Sequence, residues 1–445
     1  MTDIQQGRIA VYAATFDPPT LGHISTIKRA SHLFDHTIVA IGENPKKKPG
    51  FTLDERLELL RRSTRGIPNI SIDSFPYAYA VDYVRQQGAQ FLIRGIRNEM
   101  DYLYERGMSQ INHELCPEVE TVTLLARKEL SDISSSMVKD LVGPRGWEER
   151  VERFVPAPVY NSLLIKNKGF LSRFTEVWNR IGARGDPVKA YDSIIAAYGE
   201  PHRFYHTLAH IGHGLSGFDT IKHLSANPAA VEMAWFFHDS IYAVPGIAVP
   251  GIAAPGIGGI TDNPQRYLDN ERLSAEFSYC ILKEAKVDEG FCKEVTRLIY
   301  SSDHVGTTGE HQRTEEHQRS DIDSKIMSDV DLMILGAPWP VFHEYDLDIR
   351  EEYIHVPEEI FKKRRVEILE GFLYRGKSKK VEELKGTRRL LNLLGGVSYA
   401  DDMLIDQRIK ECDRSCSIYN TPRFQERYEA QALENLAQAI GALKK

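Results

Sequence analysis

Cysteine is scarce. The 445-residue chain has five (Cys116, Cys280, Cys292, Cys412 and Cys416), an odd number, and the nearest pair is four apart rather than in a CxxC. A disulfide framework is therefore not expected. Long apolar runs are missing too: none approaches the roughly 18 residues of a membrane helix, so no membrane partner is expected. The first residues, MTDIQQGRIAVYAATF, lack the basic n-region and small-residue cleavage site of a secretory signal, which points to the cytoplasm. Positive charge is not in excess. A net charge of -7 argues against a general nucleic-acid surface, yet leaves room for local basic pockets that hold small anionic substrates. What is present is ordinary for a globular protein, 42% hydrophobic and 27% charged, over a length that implies two domains.

From Ile9 to about Leu164, short β-branched or apolar runs alternate with amphipathic stretches, the pattern of βαβ units on a parallel sheet. Strands are predicted at IAVYAATF, TIVAIGEN, ISID, FLIRGI and VETVTLLA. Between them Ile24, Ile27, Ala30 and Phe34 recur at helical spacing, and Thr52-Leu-Asp-Glu55 forms a capping box before a helix carrying Leu57 and Leu60. After IKNKGF, near residue 168, the remainder reads as almost entirely helical. Two repetitive stretches interrupt it: VPGIAVPGIAAPGIGG (Val244 to Gly259) and GEHQRTEEHQRSD (Gly309 to Asp321). Both read as exposed loop insertions, and His311 and His317 in the second are assigned no chemistry.

In the first half, Thr15-Phe-Asp-Pro-Pro-Thr20-Leu-Gly22-His23 follows a strand and opens a helix, where backbone N–H groups and the helix dipole favour a phosphate. Lys46-Lys47-Lys48 follow the second strand, Arg94-Gly95-Ile96-Arg97 end the fourth, and Ser134-Ser135-Ser136 open the last helix. Carboxyl ends of parallel strands share one edge, so these loops converge on a basic, donor-rich crevice. Each feature has a plainer reading: a solvated lysine turn, arginines that pair with Asp101 or Glu105, a serine N-cap.

Together the segments TFDPxTxGH, PxKKPxFTLxER, LIRGxR, DxxYE and ISSSxVKxL, in this order over residues 7 to 164, resemble phosphopantetheine adenylyltransferase. The resemblance implies a Rossmann-like nucleotidyltransferase domain over residues 1–164. It would transfer adenylyl from ATP to 4′-phosphopantetheine, giving dephospho-coenzyme A and pyrophosphate, with Mg²⁺ accompanying ATP. It places Thr15 and His23 at the reacting phosphates, Lys47 on the acceptor phosphate and the transition state, and Arg94 on the pantetheine side. Phe16, Gly95, Arg97, Glu105 and Ser134, Ser135 and Ser136 would surround ATP, with Arg97 among the catalytic groups. It also implies a homo-oligomer, in the family a hexamer. Ala14 departs from the pattern, which has glycine before the TFDP threonine; the methyl group would strain the backbone if φ had to be positive, or crowd a phosphate. Ser74-Phe-Pro-Tyr-Ala-Tyr79 departs as well, which leaves a different acceptor open.

In the second half, His206 and His210 stand four apart on an expected helix in Arg203-Phe-Tyr-His206-Thr-Leu-Ala-His210, and Phe237-His238-Asp239 follows about seven turns later. Such a set, completed by a distant aspartate, supplies N and O ligands for a catalytic divalent metal. Asp329 and Asp331 are both available. RxYHxLxHI, FHDxxY, Asp269-Asn270-Glu271, His304, DxDLxILG and Ile349-Arg350-x-Glu-Tyr353 together resemble the predicted HD-superfamily metal-dependent phosphohydrolases. The resemblance implies an all-α HD domain over residues 170–445, with insertions at 244–259, 309–321 and 376–416. Its metal (Mn²⁺, Mg²⁺ or Fe²⁺) would sit on His210, His238, Asp239 and Asp331, with His206 a rival for the first position. His304 is left to a substrate phosphate or a second metal, and Asp269 and Glu271 to orienting ligands or water. The substrate would be an unidentified phosphoester. The alternatives are a regulatory or assembly role for this domain, and a transferase for another phosphate acceptor.

Overall fold

The computed structural model describes residues 7–43, 48–243, 270–302, 304, 321–376 and 417–444. Lys46, Lys47, Asp269, the 244–259 stretch, all but Asp321 of the 309–321 repeat and nearly all of 376–416 lie outside them. The chain forms two compact units, residues 1–169 and 170–445.

The first unit is a five-stranded, wholly parallel sheet in the order β3-β2-β1-β4-β5. Its elements are β1 (Ile9–Ala14), α1 (Leu21–Leu33), β2 (His36–Gly42), α2 (Leu53–Ser63), β3 (Ile70–Phe75), α3 (Ala80–Gln86), β4 (Phe91–Ile96), α4 (Glu99–Leu115) and β5 (Glu120–Leu125). Three further helices follow: α5 (Ser135–Leu141), α6 (Trp147–Val151) and α7 (Ala157–Lys166). Alternation along β1 divides the core. Ala10 and Tyr12 pack with Ile24 and Ile27 of α1 on one face, whereas Val11 and Ala13 pack with Val81 and Val84 of α3 on the other. A strand buried on both faces reads as a continuous apolar run, which is why IAVYAA stands out in the sequence.

Element boundaries moved in places. β1 ends at Ala14 rather than running on to Phe16, because Arg56 takes the Thr15 carbonyl at 2.8 Å and Phe16 turns with φ of 46°. β3 runs two residues beyond ISID, to Phe75. The capping box at Thr52 and Glu55 is made, and a second one joins Thr20 to His23 at the start of α1. The serine run opens α5, which is followed by two more helices rather than ending the unit.

Among its described residues the second unit is helical throughout: α8 (Leu171–Arg180), α9 (Pro187–Tyr198), α10 (Leu208–Ile221), α11 (Pro228–Phe237), α12 (Asn270–Glu284) and α13 (Glu289–Tyr300), then helices over Ile322–Asp331, Trp339–Glu352, Glu358–Gly376 and Pro422–Leu443. The expectation that His206 and His210 share a helix face is corrected here. α10 begins at Leu208 after an extended Thr207, so His206 precedes it. The reason is tertiary: one carboxylate oxygen of Glu352 accepts the backbone N–H groups of Phe204, Tyr205 and His206, each at 2.9 Å, and holds them as a loop. His238 is apart from α10 as well, as the C-cap residue just past the end of α11. No helix among the described residues is long and apolar enough to cross a membrane.

Candidate functional sites

In the first unit the carboxyl edge of the sheet opens into a cavity of about 550 Å³. Its position follows from topology: β1 is flanked by β2 and β4, so the chain reverses its winding direction there and leaves a crevice between the loops. Thr15, Gly22, His23, Arg94, Gly95, Arg97, Glu105, Ser134, Ser135 and Ser136 all line it, together with Ala14 and Tyr77. Phe16 does not. It is fully buried, with its ring edge-on to His23 at 5.0 Å, and supports the imidazole from behind. Lys47 lies outside the described residues.

The His23 ring is fixed by its own cap. Its Nδ1 accepts the Thr20 backbone N–H at 3.0 Å, and since an amide can only donate, the neutral ring carries its proton on Nε2. Burial, helped by the positive charge of Arg97, pushes the imidazole down to about 4, so it is neutral at physiological pH. Burial likewise pushes the Tyr12 hydroxyl up to about 12, against the opposing pull of Arg94.

Both arginines make the pairings their local sequence offers. Arg94 forms a two-pronged bond to Glu105 at 2.8 and 2.7 Å and donates a third to the Ala13 carbonyl at 3.0 Å. Arg97 binds Asp101 at 2.8 and 3.2 Å. Glu105 thus spends both oxygens on Arg94, aiming it at the cavity. Asp17, Arg56 and Lys139, quoted within the motifs but given no role, turn out to hold the TFDP loop. Asp17 is buried and accepts Gly50 and Phe51 backbone N–H groups at 3.0 Å each and the Lys139 ammonium at 2.9 Å. Burial alone would raise its carboxyl; those donors together hold it below the usual range. Arg56 secures Thr15 as described, and Ser135 donates to the Pro18 carbonyl at 2.8 Å. In sequence these partners stand 33 to 122 residues apart, too far for local pattern to join them.

Ala14 is the last residue of β1, in register with Ile41, and is not among the positive-φ residues. Backbone strain at this position is therefore ruled out, and crowding of a phosphate by the methyl group is what remains. If it crowds, Ala14→Gly should raise kcat/KM for transfer by a few-fold without altering stability by more than the entropy cost of glycine, about 0.5–1 kcal/mol. An unchanged kcat/KM would show that the loop accommodates the methyl group.

The second unit brings four of the sequence-predicted ligands together. His210 Nε2 lies 3.1 Å from His238 Nε2, 3.6 Å from Asp239 Oδ2 and 3.3 Å from Asp331 Oδ1, while His238 Nε2 lies 2.9 and 3.8 Å from the same two oxygens. His210, His238 and Asp331 form a group able to hold a metal ion. A tetrahedral centre with bonds of about 2.0–2.1 Å separates its ligands by roughly 3.3–3.4 Å, so the atoms already stand near ligand spacing. The His238 Nδ1 donates to the Trp235 carbonyl at 2.9 Å, which presents Nε2 to the centre. Burial opposes charge throughout, yet Asp239 outweighs it at His238, carrying the imidazole up to about 9, and the neighbouring imidazoles keep Asp239 and Asp331 below the carboxylate range.

His206 stands aside from this group. Its Nδ1 is taken by Glu352 Oε2 at 2.8 Å, and its ring stacks on Tyr242 with centroids 4.1 Å apart. His304 Nε2 is 2.9 Å from Asp331 Oδ2, the oxygen turned away from the other imidazoles. Asp329 faces elsewhere, accepting from the backbone of Asn420 and, at 2.7 Å, of Thr421. Asp269 lies outside the described residues; Glu271 lines the adjoining cavity of about 290 Å³. Sequence reading missed what holds the HD dipeptide. Arg203 is buried and donates to the Asp239 carbonyl at 2.7 Å and the Ser240 carbonyl at 3.1 Å, while Asn270 and Ser274 take the backbone N–H groups of Ala243 and Ile241.

A cytidylyltransferase-like family model matches residues 11–141, the strands and helices that build the first cavity. The first unit is thus a nucleotidyltransferase-type domain. The phosphopantetheine adenylyltransferase of Neisseria meningitidis serogroup C is 47% identical over 161 residues, 36% of this chain and 95% of that protein. Those of Chromobacterium violaceum (46% over 155 residues, 35% of this chain, 94% of the relative) and Lacticaseibacillus paracasei (46% over 159 residues, 36% and 93%) are similar. Through its first 160 or so residues the chain belongs to the phosphopantetheine adenylyltransferase family.

Proposed function

We propose that the first unit transfers the adenylyl group of ATP to 4′-phosphopantetheine, releasing pyrophosphate and dephospho-coenzyme A, and that the second unit, an HD-type domain over residues 170–445, is a metal-dependent phosphohydrolase. The observation that carries the first half is the neutral, tautomer-fixed His23 at the mouth of a cavity flanked by two arginines, in a unit nearly half identical to its relatives. The acceptor phosphate attacks the α-phosphorus in line, and bond-making and bond-breaking demand alignment and charge neutralisation rather than a covalent nucleophile. His23 Nε2–H donates to an α-phosphate oxygen as charge builds. The starts of α1 and α5, with Thr15 and Ser134 to Ser136, cradle the ATP phosphates. Arg94, aimed by Glu105, takes the acceptor side; Arg97 exchanges Asp101 for a phosphate oxygen, and Lys47 bridges the two substrates. Mg²⁺ accompanying ATP would supply charge neutralisation at its phosphates. The reading extends to a homo-oligomer in the cytoplasm: α4 presents Met100, Leu103, Tyr104 and Ile111 as exposed apolar side chains on the unit.

For the second unit the supporting observation is the near-tetrahedral spacing of His210, His238, Asp239 and Asp331. His210, His238, Asp239 and Asp331 would hold a divalent ion, which would supply Lewis acidity for a phosphoryl oxygen and lower the pKa of water. Glu352 and Arg203 keep the loop and the HD dipeptide rigid, and His304 orients Asp331. The test is direct. Purified full-length chain is incubated with ATP and 4′-phosphopantetheine, and pyrophosphate release is followed. Release that depends on the acceptor supports transfer; none with this acceptor but turnover with another phosphate would assign a different transferase.

A further inference from the structure

The cavity beside the metal-type group in the second unit contains a cation whose donors are not all used. Arg365 lines that cavity with Asp239, Asp331 and His304 and is 6% exposed. Its Nε donates to Asp346 at 2.9 Å, and its guanidinium carbon sits 5.1 Å from the centre of the Tyr345 ring. Both contacts fix the plane of the fork. Of its two outer nitrogens, Nη2 is buried and has no hydrogen-bond partner among the described residues.

A buried N–H left unpaired is costly, the more so on a charged guanidinium. Arginine forks pair with planar or tetrahedral oxyanions, and a fork pinned at Nε and stacked on an aromatic ring loses little entropy on receiving one. The neighbouring Arg364 does not share this situation, since it is largely exposed and paired with Glu367. The rest of the cavity wall explains the need: Asp239, Asp331 and Glu271 are acidic, so an anionic substrate requires a compensating cation on its other side.

We infer that Arg365 is the anion-binding donor of the second unit's site, its guanidinium receiving a phosphate oxygen of the substrate while the His/Asp group addresses the same phosphate from the opposite side. This rests on the phosphohydrolase reading above and assigns it a substrate-binding residue. Aromatic side chains (Tyr205, Tyr242, Tyr353 and Phe372) form much of the remaining wall, so the body of the substrate is apolar or ring-bearing, and about 290 Å³ restricts it to a small molecule.

The probe is inorganic phosphate, titrated calorimetrically into full-length wild type, Arg365→Met and Arg365→Lys, each with and without Mn²⁺, alongside Mn²⁺ stoichiometry by elemental analysis. Phosphate taken up by the first unit is common to all three proteins and cancels. The expected result is phosphate binding at least tenfold weaker in Arg365→Met, with Mn²⁺ content unchanged. Arg365→Lys keeps the ion pair to Asp346 and guards against misfolding; because a lysine spent on Asp346 has no second forked donor, it too should bind phosphate several-fold more weakly. Equal phosphate affinity in folded wild type and either variant overturns the inference, as does a wild type whose only phosphate binding survives both substitutions. Failure of the underlying reading looks different. Wild type without stoichiometric Mn²⁺ would sink the metal site, and the metal-free titrations would still decide whether Arg365 holds the anion.

Discussion

His23→Ala should lower the kcat of adenylyl transfer by about 10²–10³-fold, the usual cost of removing one preorganised donor from a developing oxyanion. ATP affinity should change far less, because the Nε2 proton is aimed at charge that appears in the transition state. The geometry behind this is the Thr20 amide, which occupies Nδ1 and leaves Nε2 as the donor. Pyrophosphate release under saturating substrates gives kcat, and calorimetry gives the ATP affinity. Unchanged turnover would remove His23 from the mechanism; tenfold weaker ATP binding with normal turnover would make it a ground-state contact.

The same ring predicts a pH effect. Its pKa is about 4 when folded, against about 6.5 for an unfolded histidine, so between these values the unfolded chain binds the proton and the folded one does not. The neutral ring's contribution is fully present above pH 6.5 and is lost progressively as pH falls toward 4. Denaturation of the first unit at pH 7 and pH 5 should show this loss in wild type and a smaller one in His23→Ala. A wild type equally stable at both values, after the other histidines are allowed for, would contradict the buried neutral ring.

His238→Ala should reduce divalent metal affinity by more than about 100-fold, since even outer-sphere partners of a metal site typically cost 10–100-fold. Phosphohydrolase activity should vanish with the ion. His238 Nε2 lies within 3.8 Å of His210 Nε2, Asp239 Oδ2 and Asp331 Oδ1, so its loss opens the group. Adenylyl transfer should be unaffected, because every residue lining the first cavity falls between Tyr12 and Ser136. Metal content and both activities are measured on one preparation, with circular dichroism to confirm folding. Full metal stoichiometry in the mutant would refute the ligand assignment. Loss of transfer in a folded mutant would show that the two activities are coupled.

The parallel sheet was legible because a strand buried on both faces is apolar without interruption, and the helix start at Thr52 because a cap is a local bond between residues three apart. The loops at the first cavity could be listed from sequence for a related reason: parallel strands put their carboxyl ends on one edge whatever the loops contain. His210, His238, Asp239 and Asp331 could be named together from their segments, but not placed. His206 shows why. Spacing alone put it on a helix face with His210, whereas a carboxylate 146 residues away gathers three backbone amides and keeps it in a loop. The same holds for Asp17 with Lys139, Arg203 with Asp239 and Arg365 with its unused donor. Side-chain type and short-range periodicity are properties of the chain, and they determined which elements form and which chemistries are available. Which buried charge meets which partner depends on contacts between distant segments, and only the tertiary structure decided it.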